Sequence, residues 1–277
     1  MLGKLLKHEF KVTSRWFLPM FLVIAVITAL LKVSMILSEG SIFLSLGIST
    51  MMSIIEGLFI ALYVIILIGT SILALFLLIK RFYSNMFGNE GYLTHTLPVT
   101  GTQLLNSKLI CSFTWIMSLI PIWIISFLIL FAGTDIFSEA GYYTSAITEE
   151  IHILNVSGFS IGLIVLELVL LAILSTISAL LGYYLSITLG QHYLGEHRLL
   201  GAILFYFILS VVSSTISSVF TTVLENVLLS NAVFLTMADA FKLITGIFGY
   251  ALIVTIIQTI VYYVLTRHFL TKKLNLH

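Results

Sequence analysis

The chain has 277 residues, 60% of them hydrophobic and 9% charged, with a formal net charge of +1 and a mean hydropathy of +1.15. Those proportions lie far outside a soluble globular domain and describe a polytopic, all-α membrane protein. So small a net charge excludes nucleic acid as a ligand, because neutralising phosphates takes clustered Lys and Arg. A single cysteine, Cys111, excludes an internal disulfide and a Cys-rich metal site.

The first element, LGKLLKHEFKVTSRWF, places Leu2, Leu5, Leu6, Phe10 and Phe17 near one helical stripe, with Lys4, Lys7, Lys11 and Arg15 largely opposite. The spacing predicts an amphipathic helix over about residues 1–16 lying in the inner membrane interface. The other reading is a helical extension of the first span with snorkelling lysines. A span takes about 20 mostly apolar residues to cross roughly 30 Å of hydrocarbon, and six stretches qualify, at approximately 17–37, 57–79, 109–132, 159–188, 199–223 and 243–265. The first is too long for a signal peptide and lacks a small-residue cleavage site, so it is expected to be retained.

With the N-terminus inside, eleven of the thirteen Lys and Arg fall in inner segments, and only Lys32 and Lys242 lie on or near the outer side. The positive-inside rule therefore places both termini in the cytoplasm.

Between spans two and three lies a polar island, KRFYSNMFGNEGYLTHTLPVTGTQLLNSK, residues 80–108. Asn89-Glu90-Gly91 is a turn signal, Pro98 bars the preceding residue from ordinary helix, and Thr100-Gly-Thr-Gln103 has the spacing of a capping box. This punctuation predicts a short separate helix around Phe87 to Leu97 and a third span beginning near Gly101. On the outer side, residues 133–158 form the longest exposed link. The link at 224–242 is apolar enough to dip back into the outer leaflet as a short helical hairpin.

Sites with chemistry of their own are scarce. No GxxxxGK[ST] sequence occurs, so nucleotide hydrolysis through a P-loop is not expected on this chain. Gly158-Phe-Ser-Ile-Gly162 matches GxSxG, but that motif works on a strand-to-helix elbow, and at the head of an apolar span it reads as small residues easing helix packing. His192 and His197 flank a short inner loop without metal-ligand spacing. Glu167 is the one carboxylate inside a predicted span, where an acid costs about 2.5–3.5 kcal/mol on translocon scales. It is therefore expected to face a partner or a path, and Lys32 near the outer end of span one is the candidate partner, with Glu39 and Glu56 competing for it. A structural pair and a substrate-path or proton-linked role both remain open.

Phe87-Gly-Asn-Glu-Gly-Tyr-Leu-Thr-His-Thr-Leu-Pro-Val99, followed by Gln103-Leu-Leu-Asn-Ser-Lys108, resembles the loop between the second and third spans of ABC-2-type transporter permeases of Gram-positive bacteria. The resemblance extends to the layout: a basic amphipathic start, six spans, both ends inside and a semi-apolar link before span six. It implies that residues 1–277 form a single ABC-2-type transmembrane domain in a bacterial plasma membrane. Such a chain pairs with a second permease subunit, identical or not, and with separate ABC ATPase subunits that hold the ATP and Mg, leaving no cofactor and no enzymatic step here. It implies further that the first inner loop carries a coupling helix seated on the ATPase, with contacts among Phe87, Asn89, Glu90, Tyr92, Leu93, Thr94, Leu97 and Pro98. The second inner loop, around Tyr193, Glu196 and Arg198, would be a smaller contact. The implied substrates are lantibiotic-like peptides or other amphipathic compounds.

Two rival readings stand beside it. One is a membrane module for antimicrobial-peptide immunity or sensing without full translocation. The other is a proton-coupled secondary transporter using Glu167, for which matched Gly and Pro breaks in two halves are missing.

Overall fold

The computed structural model describes residues 2–38, 49–88, 91, 98–134, 139, 141, 161–195, 197–229 and 237–272, without side-chain detail at 49–50, 161, 224–229, 237–243 and 272. Six long helices account for almost all of them: α1 Leu2–Ser38, α2 Ser49–Phe87, α3 Gly101–Phe131, α4 Ile161–Tyr193, α5 Arg198–Leu229 and α6 Met237–Lys272. Each is long and apolar enough to cross a membrane, and no strand occurs among the described residues. The chain is a multi-pass, all-α membrane protein. Helices are the expected solution because hydrocarbon offers no partner to a free backbone N–H or C=O, and a helix satisfies them within the segment.

The helices outrun the predicted spans because hydropathy detects only the part immersed in hydrocarbon. At 37 residues, α1 is about 55 Å long against roughly 30 Å of hydrocarbon. Residues 1–16, expected as a separate interface helix, instead continue without a break into the first span, and Pro19 lies inside α1 without ending it. Lys4, Lys7, Lys11 and Arg15 stay exposed, while one face of the same helix is buried from Glu9 through Thr13 and Phe17 to Ser34. The link at 224–242, expected as a dipping hairpin, is largely taken up as helix: 224–229 extend α5, 237–242 begin α6, and 230–236 lie outside the described residues.

The chain divides into two compact units. The first holds residues 1–81 and 110–141, that is α1, most of α2 and most of α3. Its core has two layers. Phe17, Met20, Ala74, Leu78 and Leu119 pack with Trp115 around one centre, and Ile27, Leu31, Tyr63 and Leu130 around the other. Hydrophobic association adds little between helices already in lipid, so side-chain fit and interhelical hydrogen bonds hold them.

The bonds can be given a direction. Thr28 Oγ1 donates to Ile24 O at 2.7 Å, so it must accept from Ser126 Oγ at 2.6 Å. Ser126 has then used its only hydrogen and accepts from Tyr63 OH at 2.7 Å. The same logic holds lower down, where Trp115 Nε1 donates to Thr13 Oγ1 at 2.7 Å and Thr13 donates to Glu9 O at 2.8 Å.

Glu9 and Arg81 form an ion pair, Arg81 Nε to Glu9 Oε2 at 2.8 Å, with side chains only 9% and 21% exposed. Removing one member of a buried pair strands the other charge, which typically costs about 3 kcal/mol or more. Arg81→Met is therefore expected to lower the thermal midpoint of the detergent-solubilised protein clearly, and Glu9→Gln with Arg81→Met to recover most of the loss. A wild-type midpoint for Arg81→Met would show the pair to be incidental.

Candidate functional site

The second unit holds residues 82–109 and 142–277, so the polar island belongs with α4, α5 and α6. Its centre is the C-terminal half of α4. Between Ser178 and Gly190 nearly every residue is buried, with Leu180, Leu181, Tyr184 and Leu185 at most 1% exposed. Closeness of α5 depends on two glycines. A Cβ on Gly190 would sit 2.4 Å from the Ala202 nitrogen, and one on Gly201 3.0 Å from the Gly190 Cα, so any larger residue forces the helices apart. On the other side α6 runs parallel to α4, with Leu181, Leu185 and Tyr262 in one buried cluster.

Both roots of the island seat in this unit. The descending root is the last turn and a half of α2, where Phe82, Asn85, Met86 and Phe87 are buried. The Phe82 ring stacks on Tyr184 with centroids 3.9 Å apart and planes 11° from parallel, and Phe87 meets Phe82 edge-on at 6.3 Å. The helix ends at Gly88, whose N–H is shared between Tyr83 O and Ser84 O, both at 3.1 Å, and Gly91 N donates onward to Gly88 O at 2.8 Å. Gly91, the glycine of the EGYL run, is itself buried, and a Cβ there would lie 2.8 Å from Met86 O. Close backbone approach supplies the physical reason for glycine at that position.

The returning root carries the capping box expected from the sequence. Gln103 N donates to Thr100 Oγ1 at 3.3 Å and Thr100 N to Gln103 Oε1 at 3.4 Å, the reciprocal pattern that starts a helix, and α3 begins at Gly101. Beyond it Leu104, Leu105, Ser107 and Lys108 are buried, and Tyr263 of α6 donates to Asn106 Oδ1 at 2.9 Å.

The sequence-derived contact residues fare differently. Asn89, Glu90, Tyr92, Leu93, Thr94 and Leu97 lie outside the described residues, as does Glu196. Pro98 is exposed. Phe87 is a correction: it was expected in a separate exposed helix, but it is the last residue of α2 with its ring only 6% exposed, because the aromatic pair with Phe82 draws it inward. In the second inner loop Tyr193 is 60% exposed and gathers His192, Phe205 and Phe269 around its ring. Arg198 Nε donates to Gly195 O at 2.9 Å within that loop.

Lys32 and Glu167 fall in different units. Lys32 Nζ donates to Leu130 O at 3.0 Å and to Ala132 O at 2.5 Å, capping the C-terminus of α3, where the helix dipole favours a cation. Glu167 keeps a buried Oε2 without a hydrogen-bond partner. Gly158 and Ser160 of the GxSxG match lie outside the described residues, and these hold no cluster of three metal-ligating side chains. No protein-family model, curated protein or solved structure matches this chain.

Sequence reasoning missed Glu9, Tyr184 and Tyr250. The signal for Glu9 was present: it is the one acid among four cations before the first span, one helical turn from Thr13 and two from Phe17. Tyr184 and Tyr250 carried no signal, since an aromatic inside an apolar run has no pattern of its own.

Truncating a buried aromatic typically costs about 3–5 kcal/mol. Phe82→Ala is expected to destabilise by that order, and Phe82→Ala combined with Tyr184→Ala by clearly less than the sum of the two single changes, because each single change already removes the stack. Strict additivity in thermal unfolding would show that the rings do not act as a unit.

Proposed function

We propose that this chain is the permease subunit of an ATP-binding cassette exporter of the ABC-2 type in a bacterial plasma membrane, and that the polar island is its docking element for a separate ATPase. The observation that carries the reading is the island itself. Its EGYL and TLPV residues resemble the coupling loop of those permeases, and its two roots are buried against the C-terminal half of α4 through the Phe82 and Tyr184 stack and the Tyr263 to Asn106 bond. Six helices able to cross a membrane support the layout, and the asymmetry of Lys and Arg supports both termini in the cytoplasm.

In this reading the ATPase pair, holding ATP and Mg, closes in an ATP-driven step and pushes or pulls the island. A short coupling helix within residues 89–97 takes the load. Because both roots are buried rather than hinged in solvent, displacement passes into α4 and from it to α5 and α6, which pack against it. A second permease subunit completes the path. The work of this chain is mechanical, and no covalent step falls on it. The substrate class is peptides or other amphipathic compounds.

The test is ATPase stimulation in reconstituted membranes. Tyr92→Ala with Leu93→Ala is expected to reduce the activity of the partner to that of the ATPase alone while assembly of the permease persists. Unchanged stimulation with unchanged assembly would remove the coupling assignment.

A further inference from the structure

Near the start of α4, residues of three helices meet in pairs: Glu167 of α4 with Gly249 of α6, and Phe220 of α5 with Tyr250 of α6. Tyr183 of α4 stacks on Tyr206 of α5 with centroids 4.8 Å apart, and α5 runs back along α4 from there, bringing Phe220 fourteen residues further on to Tyr250 of α6, 6.1 Å between rings. The neighbour of Tyr250, Gly249, faces Glu167 of α4 so closely that a Cβ would lie 3.7 Å from its Oε1. Glu167 thus meets α6 at Gly249, the residue next in sequence to the tyrosine whose ring contacts Phe220.

Two polar atoms here have no partner among the described residues: Glu167 Oε2 and Tyr250 OH, both buried. Unpaired buried polar atoms are rare in native proteins and mark strain or a missing ligand, and an acid within a span is a functional candidate by default. The charged side chains Lys32, Glu9 and Arg81 each have a partner, so the chain pairs charges elsewhere. Glu167 as a residue is partly exposed, although its Oε2 is buried. It lies six residues into α4, about 9 Å along the axis from its start, at the depth where an amphipath keeps its polar head while its chain stays in hydrocarbon.

We infer that Glu167, Tyr250 and Phe220 form a binding site for the ammonium group of an amphipathic molecule. The carboxylate supplies the countercharge and the hydrogen-bond acceptor, and the ring faces attract a cation through their quadrupoles. Anions are repelled, and a divalent metal requires several oxygen ligands that the described residues do not gather. Gly249 provides the room for the head group beside Oε1. That such a molecule is the exported substrate rests on the exporter reading; the binding itself does not.

The test uses the full chain in a neutral maltoside detergent, titrated with dodecylammonium and, separately, with dodecanol. The wild type is expected to bind dodecylammonium saturably and dodecanol far more weakly. Glu167→Gln, which keeps shape and removes charge, is expected to weaken dodecylammonium by about tenfold or more, the order seen when one member of a desolvated charge pair is lost. Tyr250→Phe weakens it less, and Gly249→Val weakens it with the carboxylate intact. Competition by phosphatidylethanolamine assigns the bound ammonium to a lipid head group, and its absence to a free amphipath; either supports the site. Equal binding by wild type and a Glu167→Gln protein of unchanged thermal midpoint, or equal binding of dodecanol and dodecylammonium, overturns it. Loss of the site with ATPase coupling intact would leave the exporter reading standing, and the reverse result would leave only the site.

Discussion

A membrane helix normally shows one face to lipid, and the C-terminal half of α4 shows little of one. From Ser178 to Gly190 it is enclosed almost all round, and the placement of the second unit follows from that enclosure. Gly190 and Gly201 let α5 approach to backbone contact, Tyr262 closes the α6 side, and Phe82 lies flat on Tyr184. In lipid these contacts depend on shape more than on removal of apolar surface from water, so they tolerate little change in volume. The two roots of the island, at the end of α2 and the start of α3, are fixed in the same cluster. A polar loop with both roots fixed in a packed helix cluster transmits displacement; one tethered by flexible linkers would absorb it.

Polar groups in the hydrocarbon are handled in two ways. In the first unit most are matched, with Trp123 Nε1 left over: a hydroxyl chain runs from Tyr63 through Ser126 and Thr28 to a backbone carbonyl, Lys32 caps α3, and Glu9 holds Arg81. Serines and threonines throughout bond back to the carbonyl three or four residues earlier, as Thr70, Thr188 and Thr266 do. In the second unit four buried atoms, Glu167 Oε2, Ser178 Oγ, Gln191 Oε1 and Tyr250 OH, have no partner among the described residues. The second unit carries both the roots of the island and the unpaired carboxyl oxygen.

Most of the fold was legible because each span announces itself by continuous hydrophobicity, and the start of α3 because Thr100 and Gln103 carry a capping signal within four residues. The continuity of α1 was not legible: a stripe of Leu and Phe opposite Lys looks the same whether the helix lies in the interface or continues into the span. Phe87 was misplaced because its partner Phe82 sits on the same helix, and the turn signals following it do not reveal where α2 ends. The bonds of Lys32 to the carbonyls at the end of α3 were not legible, because a sequence shows charged side chains and hides backbone acceptors. Glu167 itself stood out as an acid in an apolar run, but Gly249 and Tyr250, which define its surroundings, became visible only once α4 and α6 were seen to run parallel.

The central claim is that the island meets a soluble ATPase from a rigid mount. It is tested most directly by placing a photo-crosslinking amino acid at Tyr92 in the full chain, in its native membrane, with the same substitution at Gly141 in the outer link as the control. The account predicts a covalent adduct from Tyr92 whose partner, identified by mass spectrometry, is a nucleotide-binding ATPase, and no such adduct from Gly141. Crosslinking of Tyr92 only to lipid or to this chain, or an ATPase adduct from Gly141, would contradict it.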